Sequence, residues 1–360
     1  MKTFIFFSKS NWNESPRLRH QMVNLLLATG NKVVFFQKPI FFWQSESKQK
    51  SITGNGLEVV TTKQFLHHQL RITAPLRFIN GLFEKWSIKR KISSQLRKDA
   101  VIVNFNYDYV FLRSIFQHNK IVTVINDDFV AQAKFGNGEH VKFALAKTCG
   151  FSDAVLTVSY PLMEQLAPWC KPVLFLPWAD SPYLPPNPGS LRNAVLVWAS
   201  INDVIDYELL RSVSKECPTV IFYLVGPVSG FAKTLVPNLC AQSVNIVYFP
   251  PSDLDFLPLD KFFAGLMPYK ADVPSTEAVT LANKSLRLMS RGLPLIVHGM
   301  PHFFKHEAIF PCVDKNQLAA AIKYCATDFF KLQESIKNLV STNTSEVRYD
   351  SFMNVLNKIK

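Results

Sequence analysis

Two apolar rhythms alternate along the chain. Short continuous apolar runs at Thr3–Phe7, Lys32–Phe36, Glu58–Thr61, Ala100–Phe105, Lys120–Ile125, Ala154–Val158 and Val173–Leu176 predict buried strands. Between several of them apolar positions recur at helical spacing. Over Arg17–Thr29, Leu18, Met22, Leu25 and Leu26 share one helix face, and Gly30-Asn31 supplies the stop. Alternating strand and helix predicts a parallel sheet covered on both faces. The rhythm breaks at Pro177–Ser190, where five prolines in 14 residues exclude a regular element. It then restarts with strands at Ala194–Trp198, Val220–Val225, Asn245–Phe249, Gly265–Pro268 and Pro294–Val297. Helices are expected at Asp206–Lys215, Asn283–Arg291 and Lys315–Ala326. The fold class this predicts is α/β, with two Rossmann-like domains whose parallel sheets face across a cleft. Their bounds are 1–176 and 191–340, with a Pro-rich linker at 177–190 and a helix over 341–360 that can cross back to the first domain.

Composition narrows the class. The chain of 360 residues is 48% hydrophobic and 19% charged, which excludes a disordered protein, and it carries no repeat period. No apolar run approaches the ~18–20 residues of a membrane span, and the short run after Met1 reads as a first strand rather than a signal peptide. Six cysteines (Cys149, Cys170, Cys217, Cys240, Cys312, Cys325) form no C-x-x-C pair, so free thiols in a reducing cytoplasm are expected. The histidines His67, His68, His118, His140, His298, His302 and His306 show no metal-ligand spacing.

Charge is uneven. Residues 1–100 hold 17 Lys and Arg against five Asp and Glu, whereas the rest of the chain is nearly balanced. An anionic partner for the first part follows, either nucleic acid or the anionic cytoplasmic leaflet of a membrane. The main basic element is Arg77–Lys98. There Ile79, Phe83, Trp86, Ile88, Ile92 and Leu96 recur at helical spacing among Arg77, Lys85, Lys89, Arg90, Lys91, Arg97 and Lys98. It reads either as an interfacial membrane helix, reinforced by the aromatic run Phe35–Trp43, or as a surface helix packing its stripe on the sheet.

Candidate chemistry is sought where strands end, because open α/β sheets bind ligands there. Asn126-Asp127-Asp128 ends one strand and offers two carboxylates. One can serve as general base, its pKa raised in a partly desolvated cleft, while the other caps the next helix. Asp127 is assigned the base and Asp128 the cap or an acceptor contact. Arg17, Arg19 and His20 follow the first strand and can hold a phosphate or form a basic surface turn. Val225-Gly226-Pro227 either admits close approach of a ligand or simply ends its strand. Asn283 is expected to cap a helix with Lys284 in its first turn. A lysine is unfavourable there unless an anion joins it; otherwise it is a solvent-exposed side chain.

Taken together, Gly226-Pro227, Pro268-Tyr269 and Lys284 eight residues before Gly292-x-Pro294 resemble the nucleotide-sugar half of GT-B glycosyltransferases. Trp12-x-x-x-x-Arg17-x-Arg19-His20, Val124–Asp128 and Phe151–Ser159 extend the resemblance through the first half. It is nearest to bacterial enzymes of exopolysaccharide and teichuronic-acid assembly, including the xanthan glucuronosyltransferase type. The resemblance implies a nucleotide-sugar domain at 191–340 and an acceptor-binding, membrane-facing domain at 1–176. It implies that Tyr269 and Lys284 contact the nucleotide diphosphate and that Ser200, Gly226 and Asn283 border the nucleotide. Many relatives carry a ribose-binding Glu where this chain has Arg287; Arg287 is counted with the donor-nucleotide contacts, and Glu277 is a candidate substitute for the Glu. The absence of a spaced glutamate pair argues for inversion.

The function expected is transfer of a sugar from a nucleotide-diphosphate donor, UDP first, to a lipid-linked or membrane-proximal glycan. No metal or other cofactor is expected, since Asp253-Leu254-Asp255 reads as a loop rather than a metal site. Expected partners are the donor, the acceptor and an anionic membrane surface, with the protein on the inner face of the membrane. The alternatives are a GT-B nucleotide-sugar 2-epimerase, which has no use for a cationic surface, and a basic nucleic-acid-binding protein, for which no RNP, KH or zinc-finger pattern appears.

Overall fold

In a computed structural model, residues 1–14, 17–44, 53–66, 76–133 and 136–359 are described; His67 and His68 lie outside them. The chain forms two compact units, one of Met1–Leu176 with Arg348–Lys360 and the other of Pro177–Val347.

The first unit contains β1 (Thr3–Phe7), β2 (Lys32–Phe36), β3 (Ile40–Phe41), β4 (Thr53–Gly54), β5 (Leu57–Val60), β6 (Lys63–Gln64), β7 (Val101–Asn104), β8 (Ile121–Ile125), β9 (Ala154–Thr157) and β10 (Val173–Leu174). Eight of these form one sheet in the order β10-β9-β8-β7-β1-β2-β5-β4, while β3 and β6 pair separately. Every pairing is parallel except the short β4–β5 ladder. The continuous apolar sequences of β1 and β8 follow from burial on both faces, as parallel sheets demand. From β1 the chain builds outward through β2 to β5, then returns to the other side of β1 with β7. The order therefore reverses between β1 and β7.

The helix Ser345–Lys358 brings residues 348–360 to this unit. Its Phe352, almost wholly buried, lies 6.1 Å from the ring of Phe4 and 6.2 Å from that of Phe175. Lys120 Nζ donates to the carbonyls of Leu356 (3.1 Å) and Ile359 (2.7 Å), satisfying acceptors that a helix end leaves orphaned.

The basic stretch 77–98 is not one helix. A helix spans Leu76–Lys91, and a short turn follows at Leu96–Asp99. Nor is its apolar stripe a single face. Ile88 and Ile92 enter the core beside Ile5, Phe116 and Ile121, whereas Phe78, Ile79, Leu82 and Trp86 remain exposed. The aromatic run Phe35–Trp43 divides in the same way: Phe35 and Phe36 are buried in β2, while Phe42 and Trp43 are exposed. Strand pairing needs Phe35 and Phe36 inside; the residues beyond β2 have no such claim on the core.

The second unit holds β11 (Ala194–Trp198), β12 (Ile221–Val225), β13 (Ile246–Phe249), β14 (Phe262–Pro268), β15 (Leu295–His298) and β16 (Ile309–Cys312). They form a wholly parallel sheet in the order β13-β12-β11-β14-β15-β16, so the order reverses between β11 and β14. The proline-rich stretch 177–190 packs on this unit: Leu184 N–H donates to Ser290 O at 2.8 Å and Tyr183 Oη to Gln333 Oε1 at 3.0 Å. All six cysteines are free thiols, and four of them are buried.

Candidate functional site

A reversal of strand order opens a crevice beyond the strand C-termini, because the connections on its two sides run in opposite directions. Each unit has one such point, and most of the candidate residues lie at the two.

In the first unit the reversal lies where β1 ends at Phe7-Ser8 and β7 ends at Asn104-Phe105. Arg19, from the helix Leu18–Ala28, is buried there. Its Nη1 donates to Ser8 Oγ at 3.1 Å, and its guanidinium sits 5.5 Å from the centre of the Phe105 ring. Burial and the neighbouring charge of Arg17 lower its pKa to about 10. Asp127, just past β8, feels both arginines. Its half-buried carboxyl is pushed above the ordinary aspartate range by desolvation, against the opposing pull of Arg19, a Gln132 hydrogen bond, Arg17 and Asn126. Asn126 Nδ2 donates to Asp127 Oδ2 at 2.9 Å. Asp128 points to other work: its Oδ1 accepts from the Ala131 N–H at 2.9 Å and from Gln165 Nε2 at 3.3 Å, holding the turn that follows.

His20 has a different role from the phosphate contact expected of it. Its Nδ1 accepts from the Arg17 backbone N–H at 3.1 Å, which leaves the proton on Nε2 to donate to Asn11 O at 3.3 Å. Burial lowers its pKa, and the neutral ring clamps the loop before the helix to the helix start. With both nitrogens committed to backbone, His20 has none left for a ligand or for base chemistry.

In the second unit the reversal lies between the ends of β11 and β14. Tyr269 immediately follows β14. Lys284 Nζ donates to the Tyr269 hydroxyl and lies 4.9 Å from the centre of its ring. His298 Nδ1 donates to the Tyr269 carbonyl at 2.7 Å, fixing the strand end from behind. Ser200 is exposed just beyond β11. Gly226 has φ +149°, and a Cβ there would stand 1.7 Å from Ala199 O, so the two loops approach as closely as they do only because this residue is glycine.

One expectation changes here. The helix Asn283–Met289 takes Ala282 as its N-cap, so Asn283 is its first residue and not the cap. Arg287 joins neither Tyr269 nor Lys284. It is 3.3 Å from Asp253 and 3.7 Å from Asp180, and its guanidinium stacks 4.9 Å from the centre of the Trp198 ring at the end of β11. Asp253 flanks a 3-10 turn at Leu254–Phe256, and Asp255 within that turn pairs with Arg291 at 2.6 Å. These aspartates are therefore counter-ions of two arginines. Glu277 ends the short helix Pro274–Glu277; among the described residues it shares no hydrogen bond or ion pair with Tyr269, Lys284 or Arg287.

Ser8 and Trp198 are the residues that sequence reasoning passed over. Each stands at the end of the strand bordering a reversal, and that position was the available signal.

No family model matches the sequence, and no curated protein sequence matches it. The fold, by contrast, has many solved counterparts. Sucrose-phosphate synthase from Thermosynechococcus elongatus is similar with a TM-score of 0.72 and 12% identity, over 99% of this chain and 98% of that one. Anabaena HepE, in complex with UDP and glucose, is similar with a TM-score of 0.70 and 10% identity, over 99% and 100%. The lipopolysaccharide outer core galactosyltransferase WaaB, in its apo form, gives 0.65 and 9% identity, over 98% and 99%. The chain has the GT-B fold. At these identities the likeness is one of architecture.

Proposed function

We propose that this protein is a glycosyltransferase that moves a hexosyl or glucuronosyl group from a UDP-sugar to a lipid-linked or membrane-proximal glycan acceptor of the exopolysaccharide kind. The observation that carries this reading is the contrast in chemistry at the two reversals. One holds an ammonium and a phenol side by side, suited to an anion. The other holds a carboxyl kept above its ordinary pKa, suited to taking a proton.

In the proposed reaction the donor diphosphate is held by Lys284 and Tyr269, with the nucleoside bordered by Ser200, Gly226 and Asn283. As the bond from the anomeric carbon to the diphosphate breaks, negative charge grows on the leaving phosphate. Lys284 Nζ and Tyr269 Oη stabilise it, which makes a metal unnecessary. The acceptor hydroxyl oxygen forms the new bond to the anomeric carbon from the opposite side, and ionised Asp127 takes its proton. A single displacement inverts the configuration. Arg19 and Arg17 favour the carboxylate of Asp127, in opposition to burial. Arg287, held by Asp180 and Asp253 against Trp198, shapes the donor side without touching the diphosphate.

The reading is tested by thermal shift with UDP, GDP, ADP and CMP, followed by product NMR. UDP is expected to give the largest shift, and the product the opposite anomeric configuration to the donor. A retained configuration overturns the single displacement whatever the nucleotide result.

A further inference from the structure

Two of the six thiols touch. Cys149 lies in the last turn of the helix Gly138–Phe151, and Cys170 ends the turn that follows the helix Tyr160–Leu166. Both pack in one apolar cluster with Val141, Leu145, Val155 and Leu166, and the Cys149 thiol is hydrogen-bonded to that of Cys170. The pair is unequal. Cys149 is buried, whereas Cys170 is half-buried and within reach of solutes. The bond donated by Cys149 favours a thiolate at Cys170 and lowers its pKa against the pull of burial; the same bond, together with burial, raises that of Cys149. The Cys170 thiol in turn donates to Leu166 O at 3.6 Å. That carbonyl already accepts from the N–H groups of Trp169 (2.9 Å) and Cys170 (3.2 Å), so ionising the thiol orphans no backbone group.

The other four thiols differ. Burial pushes Cys312 up to about 11 and Cys325 up to about 12, and it raises Cys217 and Cys240 as well. Of the six, Cys170 is the one shifted downward. The pair also sits under the turn that carries Asp127 and Asp128. Phe129, Val130 and Ala133 of that turn pack on the same cluster, and Gln165, next to Leu166, donates to Asp128 Oδ1 at 3.3 Å.

We infer that Cys149 and Cys170 are a reversible oxidative modification site, at which a hydroperoxide joins the two sulfurs and the resulting disulfide steadies the Asp127–Asp128 turn. Cys170 sulfur attacks the peroxide; its S–O bond forms as the O–O bond breaks, and the departing oxygen takes up the proton that Cys170 released. Cys149 sulfur then displaces oxygen from the Cys170 sulfenic acid. The S–S bond forms, the S–O bond breaks, and the oxygen leaves as water with the Cys149 proton. Two electrons pass from the two sulfurs to the peroxide. A dithiol reductant reverses the bond by exchange. The bond ties the turn after the helix Tyr160–Leu166 to the helix Gly138–Phe151, so the segment resting on both opens less often. None of this depends on the sugar chemistry.

The test treats the full chain with one equivalent of hydrogen peroxide, then counts thiols after denaturation and maps the cross-link by mass spectrometry. Two of the six thiols should disappear, in a peptide pair joining Cys149 to Cys170, and dithiothreitol should restore them. Amide exchange across residues 126–133 should slow in the oxidised protein and recover on reduction. With Cys149→Ser, dimedone should trap a sulfenic acid on Cys170; with Cys170→Ser it should trap none on Cys149. Cys149→Ala should slow alkylation of Cys170 by about threefold, the net of roughly tenfold less thiolate and its greater nucleophilicity. Exposure alone predicts no such slowing. Survival of all six thiols, a bond between other cysteines, dimedone on Cys149, undiminished alkylation in Cys149→Ala, or unchanged exchange at 126–133 overturns the inference. The thiol count, the map and the exchange are read on the unaltered chain, so they stand even where a serine variant fails to fold.

Discussion

The two sheets follow the same out-and-back plan, yet they furnish their reversals in opposite ways. At the first, Arg19 is buried against Phe105 and Ser8, and desolvation raises the pKa of Asp127 nearby. At the second, half-buried Lys284 donates to the Tyr269 hydroxyl. Desolvating an ionisable group shifts its equilibrium toward the neutral form, as it does for Asp127. On the proposed reading, the first crevice serves proton transfer and the second the holding of anions. One sheet topology supports both because the topology fixes only where loops gather, and the residues in those loops decide the chemistry.

The sharpest way to break this comparison is Asp127→Asn. It should lower kcat by ~10²–10⁴ while leaving UDP affinity unchanged; a parallel loss of UDP affinity in calorimetry would show that the division of labour is false. Next is Phe352→Ala, which should cost about 3–5 kcal/mol in the first unit alone. Hydrogen exchange should quicken at β1 and its neighbours and stay unchanged in β11–β16. Lys284→Ala should weaken UDP binding by ~1.5–3 kcal/mol, the range for a hydrogen bond to a charged group, with Lys284→Arg recovering part of it.

The smallest effects are in pH dependence. Burial raises the Asp127 pKa, so the folded state holds this proton more tightly than the unfolded chain does. Ionising the group therefore costs stability as pH rises through the raised value. Asp127→Asn should raise Tm at neutral pH and give no gain below the ordinary aspartate range. The acid limb of the kcat profile should lie above that range, and Arg19→Met should move it further up by removing a charge that favours the carboxylate.

Much of this was legible in the sequence, and the exceptions have causes. β1 and β2 are continuous apolar runs, and they appear with the expected bounds. β16 was missed because Pro311 sits inside it; a proline is tolerated there only because β16 is an edge strand, which the sequence does not reveal. The cap at Ala282 escaped because Asn283 is the better capping type, and tertiary contacts placed the helix start one residue earlier than propensity suggests. At the candidate site, strand-end positions pointed to Asp127 and Tyr269, and the first turn of a helix to Lys284. The role of His20 was invisible because it depends on two backbone partners, one of them nine residues away. The partners of Arg287 were hidden for a similar reason: Asp180 and Asp253 are remote in sequence.

The return of residues 348–360 to the first unit also sets an order of events during synthesis. The strands of the second sheet end at Cys312, 40 residues before Phe352, so that sheet can form before Phe352 is available to the first unit. The first unit, although translated earlier, lacks Phe352 against Phe4 and Phe175 until the end. The earlier-made half is therefore the later-finished one. Until then its nascent core keeps an open apolar seam, and that seam is where a chaperone would find it.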